Sequence, residues 1–390
     1  MDRCRVCGSG SIEVFVEILR VPVHCNILWP TKDEALAAPR GDLRLAFCSE
    51  CGHVFNTAFD PGLMEYTQAY ENSLHFSPRF QAYAEGLASR LIEQYGLRGK
   101  DVIDIGCGKG DFLALLCSLG ENNGVGFDPS YVPEQMQKPG VTRMTIVRDF
   151  YSPRYSGYKA DLITCRHVLE HIPVPREFLL SIRAAIGDRP DTVVFFEVPN
   201  VLYTLRDLGI WDLIYEHCSY FSGPSLERVF QLSGFDVSGL SELYEGQFLG
   251  IDALPGRPGA PVIAAGPGGA GALSEYVKAF ADNYREKVAL WRQKFSLAVA
   301  GGEKVVVWGG GSKGVTFLNT LDTAKLVQFM VDINPRKQGL YVGGSGQKIV
   351  APEFLLDYQP DMIVVMNPVY VQEIREQLDA MGISAAVAVA

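Results

Sequence analysis

One segment limits the fold of this chain more than any other: an apolar strand that runs straight into three glycines at alternate positions. Residues 102–112 read Val-Ile-Asp-Ile-Gly-Cys-Gly-Lys-Gly-Asp-Phe. Glycine lets the backbone approach a ligand closely, and open α/β sheets bind ligands at the carboxyl ends of their strands. We therefore predict an α/β domain whose ligand lies against this glycine loop.

Strands and helices alternate on both sides of a long central linker. We predict strands at 101–105, 124–127, 160–165, 192–198, 303–308, 326–331 and 362–365, and helices at 80–95, 111–119, 177–186 and 371–381. This βαβ order predicts parallel sheets with helices on both faces. The stretch 254–273 is rich in Gly, Pro and Ala, which predicts a linker, and one long helix follows at 274–299.

The net charge and the apolar content of the sequence argue against nucleic acid and membranes as partners. The 390 residues carry a formal net charge of −10, and an acidic surface repels nucleic acid. No apolar run in the sequence approaches the length of a membrane span, and the N-terminus lacks the apolar segment of a signal peptide. We therefore expect a cytoplasmic protein that acts on a small molecule, without nucleic acid or membrane, as a monomer or a small homo-oligomer.

Four of the nine cysteines form two Cys-x-x-Cys-Gly elements: Cys4, Cys7, Cys48 and Cys51. Four thiolates satisfy a tetrahedral Zn²⁺, and the glycine after each pair permits a tight turn. Four protein ligands close such a site, so the zinc should stabilise the fold and not catalyse. A redox-active pair is the alternative, and His24 and Cys25 are alternate candidate ligands.

The glycine loop resembles the first motif of the class I S-adenosylmethionine-dependent methyltransferases. The resemblance rests on Asp104, two positions before the first glycine, and on the spacing Gly-x-Gly-x-Gly, since dinucleotide-binding folds carry Gly-x-Gly-x-x-Gly. By this resemblance Gly106, Gly108 and Gly110 line the methionine part of S-adenosylmethionine.

Further residues take cofactor roles by the same resemblance. Asp128 ends the second strand, and its carboxylate can accept both ribose hydroxyls. Asp149 lies where the family contacts adenine, and residues 161–171, which include His167, match the fourth motif. A turn aspartate before proline and an exposed surface acid are the structural alternatives for Asp128 and Asp149.

Four features follow one another in a fixed order: the cysteine pairs, the methyltransferase motif, a Tyr-Glu-His-x-x-Tyr-Phe-Ser segment at 215–222 and a second glycine loop at 309–314. This order resembles the sugar C-methyltransferases of deoxysugar biosynthesis over nearly the whole chain. The resemblance implies an α/β protein: a class I methyltransferase Rossmann-like core (61–253), a small N-terminal zinc-binding domain (1–60), a linker and long helix (254–300) and a C-terminal Rossmann-like α/β domain (301–390). The implied substrate is a nucleotide-linked 4-keto-6-deoxysugar held between the middle and C-terminal domains.

Methylation of a carbon next to a ketone needs a base for the proton and a donor for the enolate oxygen. We predict His217 as the base, with Glu216 beside it, because this pair matches the catalytic Glu-His pair of the family. By resemblance, His171 donates to the keto oxygen or orients the sugar, and Tyr70 lies where the family has an active-site tyrosine. Tyr215 is a neighbouring candidate.

The second glycine loop predicts a diphosphate site. Backbone N–H groups of Gly309 and Gly311 can cradle a phosphate, Lys313 adds charge, and Asn367 follows a strand at its carboxyl end. The chain departs from the family on this substrate side, with Met366 in place of the common tryptophan. Two alternatives stay open: methylation of oxygen or nitrogen of another small metabolite, and a catalytically silent module that binds the cofactor or a nucleotide within a biosynthetic complex.

Overall fold

The computed structural model describes residues 3–64, 70–132, 143–256, 270–321 and 326–390. The strands are β1 (Ile12–Pro22), β2 (Arg40–Cys48), β3 (Val54–Asn56), β4 (Asp101–Ile105), β5 (Asn123–Phe127), β6 (Met144–Val147), β7 (Leu162–Arg166), β8 (Val193–Pro199), β9 (Ser219–Tyr220), β10 (Phe235–Leu243), β11 (Phe248–Pro255), β12 (Val305–Trp308), β13 (Val327–Val331), β14 (Lys348–Val350), β15 (Met362–Val365) and β16 (Ala386–Val389). The helices are α1 (Lys32–Leu36), α2 (Pro78–Tyr95), α3 (Asp111–Gly120), α4 (Pro175–Ile186), α5 (Val201–Leu205), α6 (Gly223–Leu232), α7 (Gly271–Ala300), α8 (Ser312–Leu321), α9 (Leu355–Tyr358) and α10 (Val371–Met381).

The largest sheet has seven strands in the order β10-β11-β8-β7-β4-β5-β6. Its five strands from β8 to β6 are parallel, as the βαβ order predicts, whereas β10 and β11 run antiparallel at one edge. Alternate residues face opposite sides of the sheet: Phe195 packs with α2 and α3, and Phe196 packs with α4 and α6. Covering both faces with helices buries the parallel strands and leaves their carboxyl ends open at one edge.

A second, five-stranded parallel sheet lies in the C-terminal part, in the order β14-β13-β12-β15-β16. The predicted glycine loop at 309–314 ends earlier than expected, because α8 already begins at Ser312. Lys313 therefore stands in the first turn of α8. Both parallel sheets consequently present a glycine loop at the carboxyl end of a central strand. The fold class predicted from the sequence is confirmed.

The N-terminal sheet has four strands in the order β1-β2-β3-β9. The last strand, β9, comes from the middle of the chain and pairs antiparallel with β3 through Val54 and Phe55. His217 lies two residues before β9, so the N-terminal sheet helps to fix its position. The domain boundaries given above stay predictions, and residues 257–269 of the predicted linker lie outside the described residues. Within the described ranges, no helix combines the length and the apolar character needed to cross a membrane.

Candidate active site

The cysteines of the two Cys-x-x-Cys pairs lie together as one cluster. Cys4 Sγ lies 3.6 Å from Cys51 Sγ, and Cys7 Sγ lies 3.6 Å from Cys48 Sγ. Zinc–sulfur bonds of about 2.3 Å in a tetrahedron place the sulfurs about 3.8 Å apart, so the cluster fits a structural zinc site. The glycine after each pair has a left-handed φ, of 76° and 74°. The tight turns that the sequence predicts are therefore present.

The first glycine loop is shaped to receive a ligand. Gly106, Gly108 and Gly110 have φ values of 69°, 56° and 83°, which a residue with a Cβ adopts only with strain. A Cβ on Gly106 would lie 2.2 Å from Val168 Cγ2, whereas a Cβ on Gly108 would meet no atom within 4 Å. Gly106 thus allows close packing inside the protein, and Gly108 exposes the backbone on the open side. This cradle fits S-adenosylmethionine.

Of the two predicted carboxylates, Asp128 is bonded to the glycine loop and Asp104 is bonded to β7. Asp128 Oδ2 accepts a hydrogen bond of 2.8 Å from Gly108 N, and Asp128 Oδ1 accepts from Ser130 Oγ at 2.6 Å. Ser130 N also donates to Asp128 Oδ1, at 2.8 Å, so three of the about four acceptor positions of this carboxylate are in use and about one remains for a ribose hydroxyl. Asp104 is buried and accepts from Thr164 Oγ1 at 2.7 Å. Burial raises the pKa of Asp104 to about 6.

Asp149, the predicted adenine contact, follows β6 at the same edge of the sheet. Its Oδ2 accepts from Tyr155 Oη at 2.6 Å and lies 3.0 Å from Arg154 Nη1. The hydrogen bond from Tyr155 lowers the pKa of Asp149. Asp149 is therefore an ionised, partly exposed acid close to Asp128, and its contact with adenine stays a prediction.

A cavity of about 270 Å³ lies between the loops that follow β7 and β8 and the C-terminal glycine loop. The N-terminal and middle parts of the chain contribute Tyr70, His167, His171 and His217 to its lining. The C-terminal part contributes Gly309, Gly311, Lys313 and Asn367. Three of the five predicted catalytic residues, Tyr70, His171 and His217, thus share one cavity with the predicted substrate-binding groups, next to the edge of the sheet that carries the first glycine loop.

Two histidines stand side by side in the wall of this cavity. His171 Nδ1 lies 2.9 Å from the backbone oxygen of Glu216, and the ring centroids of His171 and His217 are 4.9 Å apart. A carbonyl oxygen only accepts hydrogen bonds, so His171 Nδ1 carries the proton and neutral His171 cannot donate from Nε2. Burial, followed by the charges of His171, His167 and Lys313, lowers the pKa of His217 well below its usual value. His217 is therefore a neutral imidazole at pH 7.

His167, predicted as a cofactor ligand, lies between two buried carboxylates. Its Nε2 is 2.8 Å from Glu197 Oε1, and its Nδ1 is 3.6 Å from Glu170 Oε1. Burial alone would lower the pKa of His167, but the adjacent carboxylates of Glu170 and Glu197 outweigh burial and raise the pKa to about 9. Arg166 and Tyr83 also contact Glu197. His167 is thus an imidazolium in the cavity wall at neutral pH.

Glu216 and Tyr215 lie behind the wall of the cavity. The carboxylate of Glu216 is fully buried, 3.9 Å from His24 Nδ1. The hydroxyl of Tyr215 accepts from Asp60 N at 2.8 Å, and its ring packs so tightly on Gly41 that a Cβ there would be 2.2 Å away. Because neither side chain lines the cavity, we propose that both support His217 and do not touch the substrate. His24 and Cys25 are neighbours of Glu216, away from the cysteine cluster.

The two predicted polar groups of the substrate side already have protein partners. Lys313 Nζ lies 2.8 Å from Asp212 Oδ2 and 3.2 Å from Gln247 Oε1. The amides of Gln247 and Asn367 bond to each other in both directions, at 2.9 and 3.0 Å. These contacts join the loop between β10 and β11 to the C-terminal sheet. A phosphate in the cavity would compete with Asp212 for Lys313.

Three residues in the cavity region were not predicted as site residues from the sequence: Glu170, Gln247 and Asp332. Asp332 follows β13 and accepts from Gly310 N at 2.7 Å, as Asp128 follows β5 and accepts from Gly108 N. The signal was present in the sequence: an aspartate two residues before Asn-Pro at the end of an apolar strand. For Gln247 the sequence gives no comparable signal, because its contacts with Lys313 and Asn367 come from distant segments. Glu170 has both of its imidazole neighbours, His167 and His171, within three residues, so its signal was its place in the fourth motif.

Two families cover most of the chain. Residues 79–239 match the family described as methyltransferase domain, and residues 272–388 match the C-methyltransferase C-terminal domain. C-methyltransferase NovU of Streptomyces niveus is 26% identical over 396 residues, covering 96% of this chain and 91% of that protein.

Other relatives match a smaller share of the chain. Ubiquinone biosynthesis O-methyltransferase of Actinobacillus pleuropneumoniae serotype 7 (strain AP76) is 34% identical over 27% of this chain, and the match spans 48% of that relative's length. The crystal structure of N,N-8-amino-8-demethyl-D-riboflavin dimethyltransferase (RosA) from Streptomyces davawensis is 21% identical over 45% of this chain and 54% of its own, with a TM-score of 0.37. From the two matched families and the sheet that carries the glycine cradle, this chain is a class I S-adenosylmethionine-dependent methyltransferase with a C-methyltransferase C-terminal domain.

Proposed function

We propose that this methyltransferase transfers a methyl group to a carbon atom of a nucleotide-linked keto-deoxysugar, by way of an enolate. The observation that carries the proposal is a neutral histidine, His217, in a cavity between the cofactor edge of one sheet and the glycine loop of a second. The name of NovU, whose alignment extends through both units, adds support for carbon as the acceptor.

His217 acts as the base that removes the proton next to the ketone. A base must be unprotonated at working pH, and burial among charged neighbours keeps His217 neutral. The same lowered pKa makes it a weaker base than free imidazole, so the enolate must be stabilised as it forms. General-base catalysis contributes about 10²- to 10⁴-fold to rates. S-adenosylmethionine, held at the first glycine loop, supplies the methyl group.

In this proposal, Tyr70 and His167 stabilise the enolate oxygen. Tyr70 lines the cavity, and its hydroxyl accepts from Asn26 Nδ2 at 3.1 Å, which strengthens it as a donor. His167 brings a positive charge to the same wall. A fixed cation and a fixed donor near a developing negative charge favour the enolate over the ketone. The neutral form of His171 does not serve as this donor, since its proton is held by Glu216.

The nucleotide is proposed to lie along the C-terminal glycine loop. The N-terminus of α8, a helix of 10 residues, directs backbone N–H groups toward the cavity, which suits a phosphate. Asp332 repeats the position of Asp128 relative to its own loop, which suits a ribose. Lys313 would exchange its partner Asp212 for a phosphate oxygen.

Methylation of an oxygen or nitrogen is the second candidate. It is favoured by the similarity to ubiquinone biosynthesis O-methyltransferase, but that similarity covers 27% of the chain, whereas the similarity to NovU covers 96%. In that case His217 would deprotonate a hydroxyl. The C-methyltransferase C-terminal domain, which lines half of the cavity, favours carbon.

A product assay tests the proposal. The protein would be incubated with S-adenosylmethionine and a panel of nucleotide-linked 4-keto-6-deoxysugars, and the products identified by mass spectrometry and NMR. We expect one member of the panel to gain about 14 mass units, because CH₃ from S-adenosylmethionine replaces one C–H hydrogen, which leaves as a proton, and NMR should show the new methyl group on carbon. Methylation at a hydroxyl would move the assignment to the second candidate. Cofactor binding without any product would support a catalytically silent module.

A further inference from the structure

We propose that Glu170, His171 and His217 form a site for a divalent transition-metal ion in the wall of the cavity. One ligand atom from each of the three residues lies within 4.8 Å of the other two. The three come from two segments, the loop after β7 and the loop before β9, which face each other across the cavity wall. This site is separate from the cysteine cluster.

The carboxylate of Glu170 is the first reason for an ion here. It is 1% exposed, and neither of its oxygens has a hydrogen-bond partner among the described residues. A buried carboxylate without hydrogen bonds is costly, so such a group usually has a cation at its side. The imidazolium of His167 makes its close contact, 2.8 Å, with Glu197 and forms no hydrogen bond with Glu170. Its nearest imidazole nitrogens are His167 Nδ1 at 3.6 Å and His171 Nε2 at 4.0 Å, both beyond hydrogen-bonding distance.

The orientation of His171 is the second reason. Its Nδ1–H donates to the backbone oxygen of Glu216, so the unprotonated Nε2 points toward Glu170 Oε1. Histidines that bind metals almost always give their other N–H to a carbonyl or carboxylate in this way, which fixes the ring and its tautomer. His217 completes the group, with its ring 4.9 Å from that of His171.

The ligand atoms of these three residues, two imidazole nitrogens and one carboxylate oxygen, determine which class of metal ion fits the site. Two imidazoles and one carboxylate suit Zn²⁺, Co²⁺ or Ni²⁺ better than Mg²⁺ or Ca²⁺, which prefer oxygen ligands. Ligands about 2.0–2.1 Å from a tetrahedral ion lie roughly 3.3 Å apart. The three ligand atoms, which lie within 4.8 Å of one another, with 4.0 Å between His171 and Glu170, would therefore move together by up to about 1.5 Å. Three protein ligands leave a position toward the cavity for water or an oxygen of a small molecule.

An ion bound at this site would inhibit methyl transfer, an effect that rests on the proposed function. The lone pair of His217 cannot bind a metal ion and accept a proton at the same time. Occupation of the site therefore removes the base, and the ion inhibits methyl transfer without displacing S-adenosylmethionine from its glycine loop. The metal-free form is then the active one.

Cobalt titration of the zinc-loaded protein tests the site. We expect one Co²⁺ per chain with weak visible absorption and without the strong near-ultraviolet band of thiolate ligands, because the cysteines already hold zinc. Glu170→Gln and His171→Asn should each lower the cobalt affinity roughly tenfold to a hundredfold or more. Glu93→Gln, which removes an exposed carboxylate on α2, should bind cobalt as the wild type does.

Two results would overturn the site: no cobalt bound by the zinc-loaded wild type up to millimolar concentration, or equal cobalt affinity in the wild type and in folded Glu170→Gln. The wild-type spectrum tests the site even where a variant does not fold. If it shows only a thiolate band, all the cobalt is bound at the cysteines and the proposed site is refuted. Inhibition by cobalt that a chelator reverses is the expected effect on activity. Stimulation by cobalt would refute His217 as the base and leave the site in place, so the two proposals fail separately.

Discussion

Replacing His217 by alanine should remove most of the turnover and leave S-adenosylmethionine binding unchanged. The side chain lies in the cavity wall beside His171, whereas the first glycine loop is held by Asp128 through Gly108. The substitution therefore empties the place of the base without touching the cofactor cradle. It also leaves a space of the size of an imidazole ring that faces the cavity.

The size of the loss follows from the environment of His217. Removal of a general base costs about 10²- to 10⁴-fold in rate, or about 2.7–5.4 kcal/mol at 1.36 kcal/mol per factor of ten. The pKa of His217 lies well below its usual value because of burial and of the charges of His171, His167 and Lys313. A weak base contributes less to proton transfer, so we expect a loss of roughly 10²- to 10³-fold in kcat.

Initial rates of product formation, together with calorimetric titration of S-adenosylmethionine, measure the two effects separately. Added imidazole should restore part of the activity of His217→Ala by filling the emptied space. In the wild type, the acid limb of the pH–rate profile should lie below pH 6.5, because His217 stays neutral well below its ordinary pKa. Unchanged kcat in His217→Ala, or an acid limb above pH 6.5 that His217→Ala removes, would refute this reasoning.

Three further predictions concern the metal, the cofactor and the buried ion pairs. Cys48→Ser removes one of four thiolates, so the zinc content should fall below one per chain and the melting temperature should drop, as measured by metal analysis and calorimetry; unchanged zinc would exclude the cluster. Asp128→Ala should weaken S-adenosylmethionine binding by roughly ten- to a hundredfold, about 1.5–3 kcal/mol, in a titration, and equal affinity would remove Asp128 from the ribose site. The pKa of His167 is raised to about 9 by Glu170 and Glu197 against the effect of burial, so its stabilisation is complete below pH 6.5 and is lost as the pH rises through 9. The difference in unfolding free energy between the wild type and His167→Gln, on the order of 3 kcal/mol, should therefore shrink between pH 6.5 and 9, and a constant difference would contradict the assignment.

Much of the cofactor side could be predicted from the sequence because its signals are local. The strand Asp101–Ile105 has the predicted bounds, and the glycines that follow it adopt the left-handed backbone that their spacing suggests. In the C-terminal part, the strand Met362–Val365 and the helix Val371–Met381 also have the predicted bounds. In each case an apolar run of clear period ends at a glycine or a polar turn.

The features that sequence reasoning missed depend on contacts between distant segments. The antiparallel hairpin of β10 and β11 was not predicted, because its short apolar runs do not distinguish a strand from a loop until β8 provides an edge. The two-residue strand β9 exists only because β3 pairs with it. Tyr215 and Glu216 are neighbours of His217 in sequence, but the chain turns so that their side chains point away from the cavity. Proximity to His217 in the sequence does not by itself place a side chain in the wall of the cavity, and the roles of Tyr215 and Glu216 stay predictions.

Hydrogen exchange at the substrate carbon tests the central claim most directly. The wild type and His217→Ala would be incubated in D₂O with the accepted keto-sugar nucleotide and S-adenosylhomocysteine, which carries no methyl group to transfer. Because enolate formation precedes methyl transfer in this proposal, the wild type should introduce deuterium at the carbon next to the ketone, and His217→Ala should do so at least about a hundredfold more slowly. Deuterium at that carbon, observed by NMR, is the predicted result. A wild type that methylates the sugar but introduces no deuterium, or a His217→Ala that exchanges at the wild-type rate, would contradict it.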